Sequence, residues 1–267
     1  MTKVYDCFPF AGEIDILILR LNTHNPVVDY FVIVESNLSH AGHPRKLCFD
    51  PHDPRLLPFV KKIRYVLVTD FPGNDPWQNE HWQRNAIVRA LWDAKPNDLI
   101  LISDCDEIIR PKCITSAKHQ QGADLFGFQQ PIYFCYMNNI NVEGSPNQIW
   151  GVAVRYRKLQ ERTATDYRLM IRGLGLQNIW WYKDAGWHYS YMMTTERIAE
   201  KIRNFAHQEY NNDEVLSNLN PEMRARAGED LLGRAWMRWK LLSPSEVDTP
   251  DYVRTNMPQY QKFFLEP

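Results

Sequence analysis

The sequence lacks the features that mark disulfide-rich, zinc-binding and membrane-spanning proteins. Its five cysteines are widely spaced among 267 residues and form no C-x-x-C pair, which disfavours a disulfide framework or a zinc site and favours a reducing compartment. No apolar run reaches the ~20 residues that cross a bilayer. The opening residues MTKVYDCFPF contain no signal-peptide core. We therefore expect a cytoplasmic protein without a transmembrane segment.

An excess of one charge is also missing. The chain has 31 basic and 32 acidic residues, a formal net charge of −1, and no basic stripe, so nucleic acid is not an expected partner. Apolar residues make up 44% and aromatic residues 13% of the chain, which is enough to bury a core. Because repeats, low-complexity tracts and linkers are missing as well, we predict a single domain over residues 1–267. Nothing in the sequence indicates its oligomeric state.

Hydrophobic patterns in the first half alternate between strand-like and helix-like segments. Short, nearly continuous apolar runs predict buried strands, and apolar residues three and four apart predict helices. The predicted strands lie at residues 3–10, 29–36, 63–70 and 98–103, and the predicted helices at residues 13–23 and 76–96. This alternation is typical of an α/β fold with a mostly parallel, Rossmann-type sheet flanked by helices.

The second half is less regular. Residues 124–139 and 148–159 predict the strands of a mixed β extension. Residues 194–210 have the apolar spacing of a helix with one buried face. Beyond residue 211 the pattern predicts a helical C-terminus interrupted by prolines.

Three acids, Asp104, Asp106 and Glu107, follow the last predicted strand of the first half in the stretch DLILISDCDEIIRP. In an extended chain, residues two apart face the same way, so Asp104 and Asp106 would point together. Ligands of parallel sheets bind at the carboxyl ends of strands. Two carboxylates there suit Mg²⁺ or Mn²⁺, and the ion would in turn hold a diphosphate.

Two other interpretations of these acids stay open. They could form an exposed acidic junction in which Glu107 or Asp106 caps the following segment. They could also include the nucleophilic aspartate of a phosphotransferase. That arrangement usually lies early in a chain and has a hydroxyl residue at the place that Ile108 occupies here.

Five segments resemble, in this order, the signature blocks of glycosyltransferase family 17. They are YDCFPFAGEIDILILRL, VVDYFVIVES, WQNEHWQRNAI, DLILISDCDEI and AGWHYSY. The resemblance is dense from residue 3 to residue 111, returns at residues 184–192 and fades after residue 211. The animal members of this family add a bisecting N-acetylglucosamine in β-1,4 linkage to the core mannose of N-glycans.

The resemblance implies a GT-A type transferase that inverts the anomeric carbon and uses Mn²⁺ or Mg²⁺. The expected donor is a UDP-sugar, UDP-N-acetylglucosamine by family inference, and the expected acceptor is a glycan. Residues 1–111 would form the nucleotide-sugar-binding half, and residues 112–267 the acceptor half with the helical C-terminus. The specific acceptor of the animal enzymes does not carry over, because those enzymes are membrane-anchored and luminal and this sequence shows neither feature.

A metal site and a base are expected. Asp104, Asp106 and His188 of the block AGWHYSY would bind the metal, although a histidine among aromatic residues is more often a packed core residue. Asp184, four residues before His188, is the candidate base that takes the proton of the acceptor hydroxyl. The other eligible carboxylates are Glu143, Glu229 and Asp230.

Four residues are expected to contact the nucleotide sugar: Asp6, Glu35, Arg84 and Asp104. Arg84 would reach the nucleotide or its phosphates, and its alternative role is an ordinary surface ion pair with Glu80. Glu35 would bind uridine or ribose hydroxyls, and its alternative role is to cap a turn.

Two further functions compete with glycosyl transfer. One is a non-catalytic carbohydrate-binding protein, in which some of the nine tryptophans stack against sugars while most fill the core. The other is a phosphotransferase that uses the D-x-D acids. The tryptophans considered for a sugar cleft are Trp150, Trp180, Trp181 and Trp187.

Overall fold

The computed structural model describes residues 2–146, 148–173 and 178–266. The strands, in chain order, are β1 (Val4–Pro9), β2 (Tyr30–Ser36), β3 (Ile63–Val68), β4 (Leu99–Ile102), β5 (Glu107–Ile109), β6 (Leu125–Gln130), β7 (Ile132–Phe134), β8 (Asn139–Glu143), β9 (Gln148–Arg155), β10 (Ile179–Tyr182), β11 (Gly186–Ser190) and β12 (Arg238–Leu241). The α-helices are α1 (Ile14–His24), α2 (Pro76–Asn85), α3 (Pro111–His119), α4 (Ala164–Arg172), α5 (Thr195–Asn204), α6 (Asp213–Ser217), α7 (Pro221–Ala227), α8 (Asp251–Thr255) and α9 (Met257–Tyr260).

The larger sheet has seven strands in the order β3-β2-β1-β4-β9-β6-β10. β1 lies parallel between β2 and β4, and β2 pairs parallel with β3. β9 runs antiparallel between β4 and β6, and β10 pairs parallel with β6. The predicted α/β fold, with a mostly parallel sheet flanked by helices and a mixed β extension, is confirmed.

Both faces of this sheet are buried, as continuous apolar runs require. Along β1, Val4 and Phe8 join the apolar cluster that contains α1. Tyr5 and Cys7 join the opposite cluster, where Tyr167 of α4 packs. Helices cover both faces of the sheet. A ligand would therefore bind at the carboxyl ends of β1, β2 and β4, beside the residues that follow these strands.

A second sheet of five strands, in the order β12-β8-β7-β11-β5, joins distant parts of the chain. β5 pairs antiparallel with β11, so that Glu107 lies opposite His188. β11 also pairs parallel with β7. The predicted helical C-terminus is therefore only partly correct, because β12 interrupts its short helices and pairs with β8.

Several elements differ in length from the sequence patterns. The predicted helix at 76–96 is α only to Asn85 and continues as a 3₁₀ turn over Ala86–Ala90. The strand predicted at 98–103 ends at Ile102, before the acids. β5, α3 and α4 were not predicted; α4 begins with a capping box in which Thr163 and Asp166 exchange side-chain to backbone hydrogen bonds.

Within the described ranges, no helix is both long enough and apolar enough to cross a bilayer.

Candidate functional site

The D-x-D acids lie in a tight turn between β4 and β5. The amide of Glu107 donates to the carbonyl of Asp104 at 3.0 Å, and the amide of Asp104 donates to Glu107 Oε2 at 2.8 Å. The chain is therefore not extended between Asp104 and Asp106, and the two-residue facing rule that predicted a shared direction does not apply. The two carboxylates have different partners.

A buried ion pair between α1 and β1 holds the backbone of this turn. Arg20 of α1 donates to both oxygens of Asp6, at 2.9 and 2.5 Å, and to the carbonyls of Asp104 and Glu107, at 2.7 and 3.0 Å. His24 lies 2.8 Å from the same Asp6 carboxylate. Although burial opposes ionisation, Arg20 and His24 hold the pKa of Asp6 well below its usual range.

Asp6, which the sequence assigned to the nucleotide sugar, is fully buried in this ion pair. Its oxygens face Arg20 and His24 rather than an open surface. The structure therefore places Asp6 beneath the site, where it orients the arginine that holds the turn.

Two arginines, one on α2 and one on α4, bind the side chain of Asp104. Arg84 of α2 donates to Asp104 Oδ1 at 3.0 Å and to Glu80 at 2.9 Å. Arg168 of α4 donates to Asp104 Oδ2 at 2.8 Å and to both oxygens of Glu107, at 2.7 and 2.6 Å. Burial opposes ionisation of Asp104, but Arg168 and Arg84 hold its pKa well below the usual range. In this structure guanidinium groups offset the repulsion among the crowded acids.

Asp106 faces a different set of groups. Its Oδ1 lies 3.6 Å from Nε2 of His188, and its Oδ2 lies 3.9 Å from the ammonium of Lys201 on α5. Burial opposes ionisation of Asp106, but His188 and Lys201 lower its pKa. Asp106 and Glu13 in turn raise the pKa of Lys201 against the effect of burial. The β5–β11 pairing thus brings the predicted ligand His188 beside Asp106.

The side chain of His188 has one open nitrogen. Its ring packs edge-on against Trp150 at a centroid distance of 4.5 Å. The buried Nδ1 has no hydrogen-bond partner. Buried polar atoms are usually paired, so this nitrogen is available to a further group.

The fit of a divalent ion follows from these contacts. No three His, Cys, Asp or Glu side chains of the described residues are grouped to hold a metal ion. Asp106 and His188, 3.6 Å apart, would need only a small approach, because ligands at ~2.1 Å from one ion lie about 3 Å from each other. Asp104 does not fit, since both its oxygens accept from arginines. Asp106 and His188 thus fit a site that phosphates and water would complete, as is usual for Mg²⁺.

Glu35 and Asp184 lie outside this group. Glu35 is fully buried and accepts from the amides of Cys48 and Phe49 and from the hydroxyl of Tyr65. These contacts match its alternative role of fixing a turn. Asp184 lies before β11, with its side chain 68% exposed and 2.8 Å from Arg110. It precedes His188 by four residues, which span at most about 13 Å of extended chain.

The residues near the acids that sequence reasoning missed include Arg20, Arg168, Lys201 and Arg172, which lies close enough to lower the pKa of Asp104. Arg20 stands in the apolar run of α1, where a charged residue signals a buried partner. Arg168 and Arg172 are four apart on α4 and therefore share a helix face. The capping sequence at Thr163 was an available signal for that helix.

Comparisons with known proteins agree with the resemblance in the sequence. The model of glycosyltransferase family 17 matches residues 1–233. The chain is 27% identical over 227 residues to the beta-1,4-mannosyl-glycoprotein 4-beta-N-acetylglucosaminyltransferases of Homo sapiens and Rattus norvegicus, a match that covers 75% of this chain and 42% of each relative. The chain therefore spans less than half the length of these curated relatives.

Solved structures overlap with it more loosely. Glucosyl-3-phosphoglycerate synthase from Mycobacterium tuberculosis, in complex with uridine diphosphate, aligns with a TM-score of 0.39 at 13% identity, over 72% of each chain. A 4-diphosphocytidyl-2C-methyl-D-erythritol synthase aligns with a TM-score of 0.41 at 13% identity, over 69% of this chain and 91% of that one. The family assignment rests on the sequence match, which spans most of the chain: this protein belongs to glycosyltransferase family 17.

Proposed function

We propose that this protein is a metal-dependent, inverting glycosyltransferase that transfers N-acetylglucosamine from its UDP-sugar to a glycan acceptor. Its family and the names of its curated relatives support the reaction class and the sugar. The observation that carries the metal dependence is the placement of Asp106 Oδ1 3.6 Å from His188 Nε2 at the carboxyl end of β4. That edge is where α/β sheets bind their ligands.

Different residues of the site would bind the metal, the phosphates and the nucleotide sugar. Asp106 and His188 would hold Mn²⁺ or Mg²⁺, which when bound supplies positive charge for the leaving diphosphate. Arg84, which reaches the turn from α2, would place a further positive charge near the phosphates. Asp104, 37% exposed on its side chain, would offer its carboxylate edge to the nucleotide sugar while the arginines fix its orientation.

Inversion adds a requirement for a base. The acceptor hydroxyl attacks the anomeric carbon as the bond to the diphosphate breaks, and its proton passes to a carboxylate across the sugar from the metal. We assign this role to Asp184, which precedes His188 by four residues and lies just before β11. Glu143, Glu229 and Asp230 are the alternatives. Of these, Asp230 is buried and bound to Arg234.

Calorimetry of UDP binding tests the metal dependence. We expect UDP to bind more tightly with Mn²⁺ than with a chelator, and Asp106→Ala to abolish that difference. Asp124→Ala is the matched control, because this aspartate pairs with Arg157 before β6, at the amino ends of the strands. Equal affinity of the native protein for UDP with metal and with chelator would overturn the metal dependence.

A donor screen tests the reaction. Release of free UDP from UDP-N-acetylglucosamine, compared with other UDP-sugars in the presence of Mn²⁺, identifies the donor even before an acceptor is known. A carbohydrate-binding protein would release no UDP. A phosphotransferase would form a phospho-aspartate, which mass spectrometry detects.

A further inference from the structure

Arg172 is a cation without an anionic partner beside the acidic turn. It ends α4, one helical turn after Arg168, and its guanidinium carbon lies 4.7 Å from the centre of the Trp150 ring. Among the described residues it donates no hydrogen bond and forms no ion pair, whereas Arg168 binds both Asp104 and Glu107. Burial and the nearby Arg168 lower the pKa of Arg172, while Glu107 and Asp104, with which it forms no ion pair, act in the opposite direction.

Buried nitrogens around Arg172 also lack acceptors. Nε of Arg84, Nε1 of Trp150 and Nδ1 of His188 have no hydrogen-bond partner in the part of the chain that the structure describes. Nε of arginine and Nε1 of tryptophan only donate. Native proteins pair nearly all such buried groups, so unpaired donors in one place indicate that an acceptor-rich ligand belongs there.

Arg172 and His188 are connected through Trp150. Its ring contacts Arg172 on α4 and the ring of His188 on β11, and its carbonyl accepts from Arg168 at 2.9 Å. The unpaired guanidinium and the ring of His188, the partner of Asp106, therefore both contact one indole. An anion with several oxygens in a row could reach both.

We propose that Arg172, with the indole N–H of Trp150, binds the phosphate oxygens of a nucleoside diphosphate group. This assignment rests on the proposed function, in which that group belongs to the sugar donor. Guanidinium matches phosphate oxygens in two parallel hydrogen bonds. During transfer the anomeric carbon–oxygen bond breaks and its electron pair stays on the departing diphosphate oxygen. Arg172 is placed to stabilise that charge.

Arg172→Gln is the suitable test variant. Arg172 has no protein carboxylate to leave unpaired, so this change should fold with a melting temperature close to that of the native protein. Arg168 is unsuitable for this test, because its loss would leave the buried Glu107 without its ion-pair partner. The matched control is Arg157→Gln, since Arg157 pairs with Asp124 and its backbone binds Pro96 before β4, at the opposite end of that strand.

Calorimetry with inorganic pyrophosphate, UDP and uridine measures the effect. We expect Arg172→Gln to weaken pyrophosphate and UDP about tenfold or more, the scale of losing a hydrogen bond to a charged group, and to leave uridine unchanged. Arg172→Lys keeps the charge but loses the planar guanidinium, so its affinity for pyrophosphate should lie between those of the native protein and Arg172→Gln. Arg157→Gln should bind all three ligands as the native protein does.

The two proposals fail in different ways. If Arg172→Gln binds pyrophosphate as the native protein does, or if the native protein does not bind pyrophosphate, this assignment is overturned whatever the donor screen shows. If pyrophosphate binding depends on Arg172 but no UDP-sugar is turned over, the phosphate site stands and the proposed glycosyl transfer falls.

Discussion

Arg168 and Glu107 form two parallel hydrogen bonds, of 2.6 and 2.7 Å, with side chains that are 3% and 0% exposed. This pair ties α4 to the first residue of β5, directly after the acidic turn. Two charges that are removed from water remain stable only while each satisfies the other. The geometry of the turn therefore depends on a helix that follows it by some sixty residues in the sequence.

Arg168→Met should destabilise the protein strongly. The change leaves Glu107 buried without its partner, a loss of about 3–5 kcal/mol in the free energy of unfolding. Urea denaturation measures it, with Arg157→Met as the control, where an exposed ion pair should contribute no more than about 1 kcal/mol. Adding Glu107→Gln to Arg168→Met should recover part of the loss. A single variant as stable as the control would show that the pair has no structural role.

Stability should fall on the acid side. The pKa values of Asp6 and Asp104 are held below their usual range. A carboxylate whose pKa is lower in the folded state contributes its stability above the unfolded pKa of about 3.9 and loses it as pH falls further. We expect the free energy of unfolding to decline below about pH 5.

Asp104→Asn should flatten this decline, because the variant has one fewer carboxylate to protonate. Urea titrations at pH values from 7 to 3 compare it with the native protein and with Asp213→Asn on the surface helix α6. An acid dependence unchanged in Asp104→Asn would contradict the role of its arginines.

His188→Ala should raise the metal concentration required for UDP binding while changing the melting temperature little. The reason is the loss of one of the two proposed protein ligands, since ligand number limits affinity for hard ions. Titration of Mn²⁺ at fixed UDP measures the first quantity and thermal unfolding the second. A variant that melts several degrees lower with an unchanged metal response would identify His188 as a core residue.

Asp184→Asn tests the assignment of the base. If Asp184 takes the acceptor proton, the variant keeps UDP and metal binding and loses turnover by about 10²-fold or more, and the acidic limb of the pH profile shifts. Because Arg110 also pairs with Asp248, the ion pair there survives in part and the fold should be retained. Near-normal turnover would transfer the role to one of the alternative carboxylates.

The sequence predicted the parallel half of the fold because each buried strand there is a continuous apolar run. β1, β2 and β3 begin within a residue of their predicted starts. It did not predict the turn at Asp104, since the sequence pattern does not show whether acids that follow a strand continue in an extended conformation or turn to bind arginines. β5 has only three residues, too few for a period to be recognised.

The site was predictable only in part for a related reason. Asp106 is conspicuous in the sequence, but its contact with His188 depends on the pairing of β5 with β11, which local pattern does not encode. Nothing in the sequence indicates that Arg168 belongs to the site, because its ion pair with Glu107 is visible only in the structure. The family resemblance supplied His188, and it supplied neither Arg168 nor Arg172.

The pairing of β5 with β11 also makes the proposed metal site of Asp106 and His188 dependent on correct folding. Strand register has a period of two, so a slip by one residue between these strands would turn His188 to the other face of the sheet. β9, from the second half of the chain, is meanwhile inserted between β4 and β6. Neither half completes a sheet alone, so binding of metal to Asp106 and His188 would report that the two halves have folded together in register.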